Sequence, residues 1–151
     1  MGRAWTLFAL GFVVVFIVDQ AIKALFVYEG VRWNGEYFSL ILTYNKGVAF
    51  SMFASLGPWL KVIQVGLIAG ILGYLVQNKT MIQDHHMPLG ILLGAGSSNV
   101  LDRFVHGGVV DYLFWHRWFE FAVFNLADVM INVAVAVILI QTLFFPKKQI
   151  P

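Results

Sequence analysis

The sequence predicts an all-α membrane protein, a four-transmembrane-helix bundle with a small extramembrane β-hairpin or cradle. Of its 151 residues, 60% are hydrophobic and 12% are charged, whereas soluble domains are about 45–50% apolar and about 25% charged. A transmembrane helix needs about 20 apolar residues. Four such helices leave no room for a soluble domain, so we expect a single integral membrane domain over residues 1–151.

Composition also narrows the possible partners and chemistry. The formal charge of +2 comes from scattered lysines and arginines. No basic run is long enough to follow a phosphate backbone, so we expect no nucleic-acid partner. Cysteine is absent, which excludes disulfides, thiolate metal sites and a cysteine nucleophile. The sequence contains no H-E-x-x-H zinc motif, and we expect no bound metal.

The predicted spans cover residues 4–27, 58–76, 88–105 and 124–145. In the first span, Asp19 and Lys23 are four residues apart and share one helix face. We favour a structural ion pair there over direct contact with a substrate. In the second span, Gly66 and Gly70 form a small-xxx-small pattern that predicts close packing against a neighbouring helix. Residues 77–87 are expected to be a short polar connector.

Residues 28–56 are predicted to form the extramembrane β segment. They are rich in aromatic and β-branched residues, and Gly35 and residues 45–47 are turn signals. The strands of the hairpin are expected at residues 37–44 and 48–53. So many apolar side chains outside a membrane span favour a platform that rests on the lipid surface over an ordinary surface loop.

The third predicted span ends in polar residues. Asn99, Asp102 and Arg103 fall at positions i, i+3 and i+4 and therefore share one helix face. The small residues 94–98 before them permit tight packing. They do not form the G-x-S-x-G motif of a serine nucleophile, so serine catalysis is not expected.

Two further aspartates follow this span. Asp111 is expected on a loop with interfacial tryptophans, and Asp128 at the start of the fourth span, on one face with Asn125. In an up-down-up-down bundle, late residues of spans one and three lie at the same end as early residues of spans two and four. The polar residues of the spans therefore converge on one end of the bundle.

The positive charges are nearly balanced between the two ends of the bundle, so their count barely decides which side of the membrane the polar end faces. Arg3 at one terminus, and Lys147 and Lys148 at the other, favour placing both termini in the cytoplasm. The polar end then faces outward.

The two aspartates at this end suggest acid–base chemistry. Two carboxylates that share a site cannot both ionise cheaply, so such a pair holds one proton near neutral pH. One aspartate then takes a proton from water while the other protonates a carbonyl oxygen. We interpret Asp111 and Asp128 as a candidate catalytic pair. A small membrane transporter or a proton relay also uses intramembrane carboxylates, and the pattern alone leaves that alternative open.

Five ordered motifs resemble those of the lipoprotein signal peptidases, also called signal peptidase II, and the resemblance covers nearly the full chain. The motifs are Asp19-x-x-x-Lys23, Y-N-K-G-V-A-F-S over residues 44–51, N-V-L-D-R over residues 99–103, G-V-V-D-Y over residues 108–112, and F-N-L-A-D over residues 124–128.

This resemblance implies an aspartyl endopeptidase of the bacterial inner membrane. Such an enzyme is a multi-pass protein with both termini cytoplasmic and with the β cradle and the active site at the periplasmic face. The implied substrate is a prolipoprotein with a diacylglyceryl-modified cysteine, which is cut just before that cysteine in contact with membrane lipid. The resemblance also implies that no metal or organic cofactor takes part and that globomycin-type cyclic peptides inhibit the reaction.

The same resemblance assigns roles to individual residues. Asp111 and Asp128 match the catalytic dyad. Substrate binding or support of the dyad is assigned to Asn45, Asn99, Arg103 and Asn125, and structural roles to Asp19, Lys23 and Asp102. The sequence departs from the family pattern at Ser98, where the family usually has glycine. We expect the Ser98 hydroxymethyl group to alter packing or narrow the pocket without changing the activity, because the dyad motifs are intact.

Overall fold

The computed structural model describes residues 1–47 and 54–145. Within this part, the chain forms four α-helices, a short 3₁₀ turn at Ala54–Leu56, and one three-stranded antiparallel sheet. The helices are α1 (Gly2–Val27), α2 (Trp59–Gln77), α3 (Lys79–Val105) and α4 (Leu126–Phe144). The strands are β1 (Trp33–Asn34), β2 (Phe38–Asn45) and β3 (Val109–Trp115).

Three of the four helices, α1, α2 and α4, are long and apolar enough to cross a membrane. Their outer faces expose large apolar side chains such as Ile17, Leu67 and Leu143. Apolar surface of this extent on a soluble protein would drive aggregation, whereas lipid covers it without cost. These observations confirm the predicted membrane protein with a small β structure. They give three candidate spans rather than the four that were predicted.

Helix α3 is the centre of the bundle, because α1, α2 and α4 all pack against it. Gly90 and Gly94 make the closest approach: a Cβ atom on either would collide with the main chain of Phe8 or Phe12 in α1. At Gly66 and Gly70 of α2, a Cβ atom would meet no described atom within 4 Å. For the described part of the chain, the prediction of close packing at those two glycines is therefore wrong.

Helix α3 begins at Lys79, earlier than the predicted third span. Most of the segment expected to be a connector, residues 77–87, is therefore helical. A kink at His85, with φ of −126° and ψ of 27°, precedes Pro88 by three residues. Proline has no N–H to donate to the preceding turn and its ring crowds that turn, so the helix bends at this point while continuing toward the site.

The sheet differs from the predicted hairpin. Strand β2 pairs with β1 on one side and with β3 on the other, and Thr43 lies opposite Asp111. The second strand of the predicted hairpin, residues 48–53, lies outside the described residues. Asp111 was expected on a loop and instead lies in β3, because five of the seven residues 109–115 are β-branched or aromatic and favour a strand.

Candidate active site

A buried ion cluster of Asp19, Lys23 and Asp102 joins α1 to α3. The Lys23 ammonium lies 2.7 Å from an Asp19 oxygen and 2.6 Å from an Asp102 oxygen, and the three side chains are at most 2% exposed. An unpaired charge in such an interior is costly, so each charge here needs its partners. The residues predicted to be structural thus lie together in one cluster.

The carboxylates of the ion cluster also hold two segments of main chain. Asp19 Oδ1 accepts a hydrogen bond of 2.9 Å from the N–H of Ala127. Asp102 Oδ2 accepts one of 3.1 Å from the N–H of Val110. Each of these N–H groups belongs to the residue just before a candidate catalytic aspartate. The ion cluster therefore fixes the backbone on which both of those aspartates stand.

Asp111 extends from β3 and is 1% exposed. Its Oδ1 accepts a hydrogen bond of 2.7 Å from the side-chain amide of Asn125, and its Oδ2 accepts one of 3.1 Å from that of Asn45. Asn45 ends the paired strand β2. The sheet therefore brings Asp111 and one of its donors together, and both donors are neutral amides.

Asp128 stands in the first turn of α4, as predicted, where a capping box with Asn125 holds it. The Asp128 N–H donates to the Asn125 side chain at 2.9 Å, and the Asn125 N–H donates to Asp128 Oδ2 at 3.2 Å. Asp128 Oδ1 accepts a third bond, of 2.9 Å, from the amide of Asn99. The helix N-terminus also favours a negative charge at this position.

Asn99 and Asn125 connect the ion cluster to the two aspartates. Asn99 Oδ1 accepts hydrogen bonds from Lys23 at 2.8 Å and from the Asn125 amide at 3.1 Å. Because an ammonium group only donates, Lys23 holds the oxygen of Asn99 toward itself. The NH₂ group of Asn99 is then left to donate to Asp128.

Arg103 holds the chain where β2 ends. Its guanidinium donates to the main-chain oxygen of Asn45 at 3.2 Å and to that of Gly47. The Gly47 N–H donates to Asn45 Oδ1 at 3.0 Å, an Asx-type turn. This turn engages the side-chain oxygen of Asn45, so its NH₂ group is directed to Asp111. Arg103 thereby supports the contact between Asn45 and Asp111.

The pKa of Asp111 is raised from 3.8 to about 7, mainly by burial and also by the negative charge of Asp128. The hydrogen bonds from Asn45 and Asn125 and the charge of Lys23 act in the opposite direction and lower this pKa. A carboxyl group with a pKa near 7 gains and loses a proton readily at neutral pH, which is what a general acid or base requires.

Asp111 and Asp128 line one cavity of about 490 Å³. The structure also places at this cavity three of the four residues predicted to support the pair, Asn45, Asn99 and Arg103. The fourth, Asn125, contacts Asp111 and caps the helix that carries Asp128. Carboxylates, amide donors and an apolar wall therefore meet in a space large enough for a peptide segment.

A second cavity, of about 610 Å³, lies at the opposite ends of α3 and α4. It contains His85, whose ring nitrogen lies 2.7 Å from the side-chain oxygen of Gln141. Within residues 1–47 and 54–145, no group of three or more His, Asp or Glu side chains is placed to hold a metal ion. The aspartate pair therefore marks the first cavity as the candidate active site.

Ser98, where the resemblance predicts glycine, contacts the ion cluster. Its fully buried hydroxyl donates to Asp19 at 2.6 Å and accepts from the Gln20 amide at 2.8 Å. The same amide donates to Asp102 at 2.8 Å. Of the two effects expected for the hydroxymethyl group, the geometry supports altered packing around Asp19.

Sequence reasoning missed three residues at or near the site. The Gln20 amide bridges Ser98 and Asp102, the Tyr112 hydroxyl accepts a bond of 3.0 Å from the Leu126 N–H, and Gln64 lines the cavity. For the two glutamines a signal existed, because a polar residue inside an apolar span is a functional candidate by default. Tyr112 gave no such signal among its aromatic neighbours.

Solved structures of bacterial membrane enzymes share this fold. One superposes with a TM-score of 0.76 at 20% identity, covering 96% of this chain and 95% of that one. Another superposes with a TM-score of 0.74 at 22% identity, covering 100% and 96%. The apolar helices and this shared fold define an integral membrane protein, and the aspartate pair at its cavity is typical of a hydrolase.

The family within this class follows from sequence comparison. The signal peptidase II family model matches residues 11–144. The chain is 60% identical over 137 residues to a lipoprotein signal peptidase of Wolinella succinogenes, covering 91% of this chain and 92% of that protein. It is 51% identical to one of Campylobacter jejuni, covering 91% and 88%, and 49% identical to one of Helicobacter pylori, covering 91% and 87%. The chain belongs to the signal peptidase II family and is a peptidase that removes signal peptides, which confirms the resemblance carried by the motifs.

Proposed function

We propose that this peptidase is an aspartyl endopeptidase that acts on prolipoproteins and cuts just before the diacylglyceryl-modified cysteine. Asp111 and Asp128 are the catalytic dyad of this proposal. The observation that carries it is that both carboxylates line one cavity and are held there by asparagine amides. The names of the relatives, which are lipoprotein signal peptidases, support the substrate.

The proposed reaction needs only the two carboxyl groups and water. Like charges at close range keep one proton on the pair at neutral pH. The ionised aspartate removes a proton from a water molecule, which attacks the scissile carbonyl carbon, while the protonated aspartate gives its proton to the carbonyl oxygen. Collapse of the tetrahedral diol breaks the C–N bond: one of its hydroxyl groups returns a proton to the ionised aspartate while the protonated aspartate gives its proton to the departing amine, so the dyad again holds one proton. No covalent enzyme intermediate, metal or organic cofactor takes part.

The supporting residues have separate tasks in this proposal. Asn99 and Asn125 orient the carboxylates through the hydrogen bonds described above, and Asn45 does the same under the control of Arg103. The amide groups that line the cavity also contact the substrate. The residues of the ion cluster act structurally, by fixing the backbone beside the dyad.

We further propose that the chain is one integral domain with four transmembrane helices. Helix α3 supplies the fourth span: its 27 residues give a length of about 40 Å, and its neighbours shield its polar groups from lipid. Both termini lie in the cytoplasm, and the dyad lies at the periplasmic face of the bacterial inner membrane. Exposed Trp118 and Phe119, near the dyad end, suit the lipid interface there.

Two ligand classes follow from this placement. A prolipoprotein enters from the bilayer, so its acyl chains and membrane lipid cover the apolar side of the cavity. Globomycin-type cyclic peptides are proposed to bind the same cavity and to compete with the substrate. Competition is checked by measuring KM for the peptide substrate at increasing inhibitor concentration.

The test is cleavage of a diacylglyceryl-modified prolipoprotein peptide by the purified protein in detergent. The same peptide without lipid and the Asp128→Asn variant are assayed beside it. We expect lipid-dependent cleavage before the cysteine, and none by the variant. Cleavage elsewhere, or equal cleavage of the unlipidated peptide, would contradict the substrate; no cleavage by folded wild-type protein would contradict the function and would make ion-flux assays the next step.

A further inference from the structure

Gln64 is a polar residue in the apolar helix α2, and its contacts within the protein do not explain it. Its side-chain oxygen is buried and has no hydrogen-bond partner in the described part of the chain. A buried acceptor without a partner forfeits its hydration and gains nothing in return. Polar side chains inside membrane spans are functional candidates for this reason. The described residues supply no hydrogen-bond donor to the Gln64 oxygen, so a donor from a bound molecule can fill this role.

Gln64 lines the same cavity as Asp111 and Asp128. Helices α2 and α4 both pack on α3, and the wall from α4 includes Asp128 and Asn132. The cavity is therefore a groove between α2 and α4, with a side-chain amide on each wall. Asn132 donates to the Asp128 main-chain oxygen at 2.8 Å, so Gln64 is the wall amide with a buried, unpartnered atom.

The two amides lie deeper along the helices than the dyad. Asn132 is one turn beyond Asp128, roughly 6 Å along the axis of α4. Gln64 is five residues after Trp59, the first residue of α2, or roughly 7.5 Å from the same end of the bundle. An extended peptide advances about 3.3 Å per residue. A peptide that crosses the dyad and runs into the groove therefore passes Gln64 about two residues from the scissile bond.

We infer that Gln64 is a substrate-positioning residue, whose side-chain oxygen accepts a hydrogen bond from a main-chain N–H of the signal peptide about two residues before the scissile bond. This inference rests on the proposed function. A signal peptide must give up helical hydrogen bonds near the scissile bond to reach the dyad, and in an apolar groove the freed N–H finds no water. Gln64 supplies the acceptor and holds the unwound stretch in register with Asp111 and Asp128.

The first experiment compares KM and kcat of the wild type, Gln64→Met and Val65→Met on the diacylglyceryl-modified peptide. Methionine keeps the length of glutamine without its amide. We expect Gln64→Met to raise KM roughly 2- to 10-fold with kcat nearly unchanged, because one neutral hydrogen bond made equally before and during the reaction is lost. Val65 is exposed on another side of α2, so Val65→Met controls for the new side chain and is expected to leave KM unchanged.

The second experiment uses peptides that are N-methylated at each of the three residues before the scissile bond. Methylation of the residue that donates to Gln64 is expected to raise KM for the wild type as much as Gln64→Met does, and to add no further loss in that variant. Additive losses at all three positions, or an unchanged KM in Gln64→Met, would overturn the inference. A lower Tm of Gln64→Met with unchanged KM would show a structural role instead. Wild-type protein that fails to cleave the unmodified peptide would contradict the proposed function itself.

Discussion

The protein contains two pairs of aspartates that differ in what compensates their charge. Asp19 and Asp102 share the ammonium of Lys23. Asp111 and Asp128 instead accept hydrogen bonds from asparagine amides, which carry no charge. Asp111 is as deeply buried as Asp19, whereas Asp128 is half-buried, so burial alone does not separate the pairs. The pairs differ in their partners: the first shares an ammonium group, and the second is held by neutral amides.

The largest effect is expected from neutralising the amide-bound pair. Asp111→Asn and Asp128→Asn are each expected to abolish cleavage, a loss of at least roughly 10²–10⁴-fold, because each removes a proton donor or acceptor of the reaction. Both variants are expected to remain folded in the membrane. The measurement is kcat/KM on the lipidated peptide, together with Tm in detergent.

The matched control for these variants is Glu36→Gln, which removes an exposed carboxylate paired with Arg117. Exposed pairs contribute about 0–1 kcal/mol, so activity and Tm are expected to stay near those of the wild type. Retained turnover in either Asp111→Asn or Asp128→Asn would contradict the assignment of the dyad.

The opposite outcome is expected at the other pair. Lys23→Met leaves Asp19 and Asp102 buried without their shared counter-ion, and breaking a buried ion pair in this way costs about 3–5 kcal/mol. We expect a strongly lowered Tm and a low yield of folded protein. Lys79→Met removes an exposed lysine at the start of α3 and is expected to change neither. An unchanged Tm of Lys23→Met would show that the ion cluster does not stabilise the bundle.

The pH dependence of cleavage tests the protonation state of the amide-bound pair. Since the pKa of Asp111 is about 7, the dyad is expected to lose its shared proton as the pH rises through this value. Above it, kcat/KM is expected to fall by roughly tenfold per pH unit, as for one essential proton. A profile that stays flat from neutral to alkaline pH would contradict this protonation state.

The same pKa predicts the direction of the stability change. The pKa of Asp111 is raised from 3.8 to about 7, mainly by burial, so the folded chain binds more protons than the unfolded chain between these values. The contribution of Asp111 to stability therefore falls as the pH rises through this window and is lowest above it. Tm measured against pH is expected to show this fall in the wild type and to lack it in Asp111→Asn.

The smallest effect separates the two tasks of Asn125. Asn125→Ala removes the helix cap and the donor to Asp111, and the lost cap costs about 1 kcal/mol. Asn125→Ser keeps a capping side chain but has no amide to reach Asp111. We expect near-wild-type Tm for the serine variant, with reduced kcat and an alkaline limb at higher pH, because the Asn125 bond lowers the pKa of Asp111. A wild-type pH profile in Asn125→Ser would show that this bond does not tune the dyad.

The convergence of polar residues was predictable from the sequence. Apolar stretches of spanning length fix the helices, and alternation of direction then brings the late residues of α1 and α3 to the early residues of α4. The position of Asp128 in the first turn of α4 was predictable too, because Asn125 and Asp128 stand where a cap and its partner stand in a capping box.

The sheet beside the dyad was not predictable in this way. Strand β2 pairs with residues 109–115, far along the chain, and such a pairing leaves no local signal in the sequence. Helix packing was ambiguous for a similar reason. The pattern of two glycines four apart occurs at Gly66 and Gly70 and again at Gly90 and Gly94. Of these two pairs, only Gly90 and Gly94 have another helix packed closely against them in the described part of the chain. Which face meets a neighbour is decided by the whole bundle.

The ion cluster also has a consequence for how a nascent chain matures. Before α1 and α3 dock, Lys23 has Asp19 as its cluster partner, four residues away on the same helix. On docking, Lys23 gains Asp102 from α3. The complete cluster anchors the backbone before each catalytic candidate. A nascent chain therefore lacks this anchor beside its proposed dyad until the two helices have met.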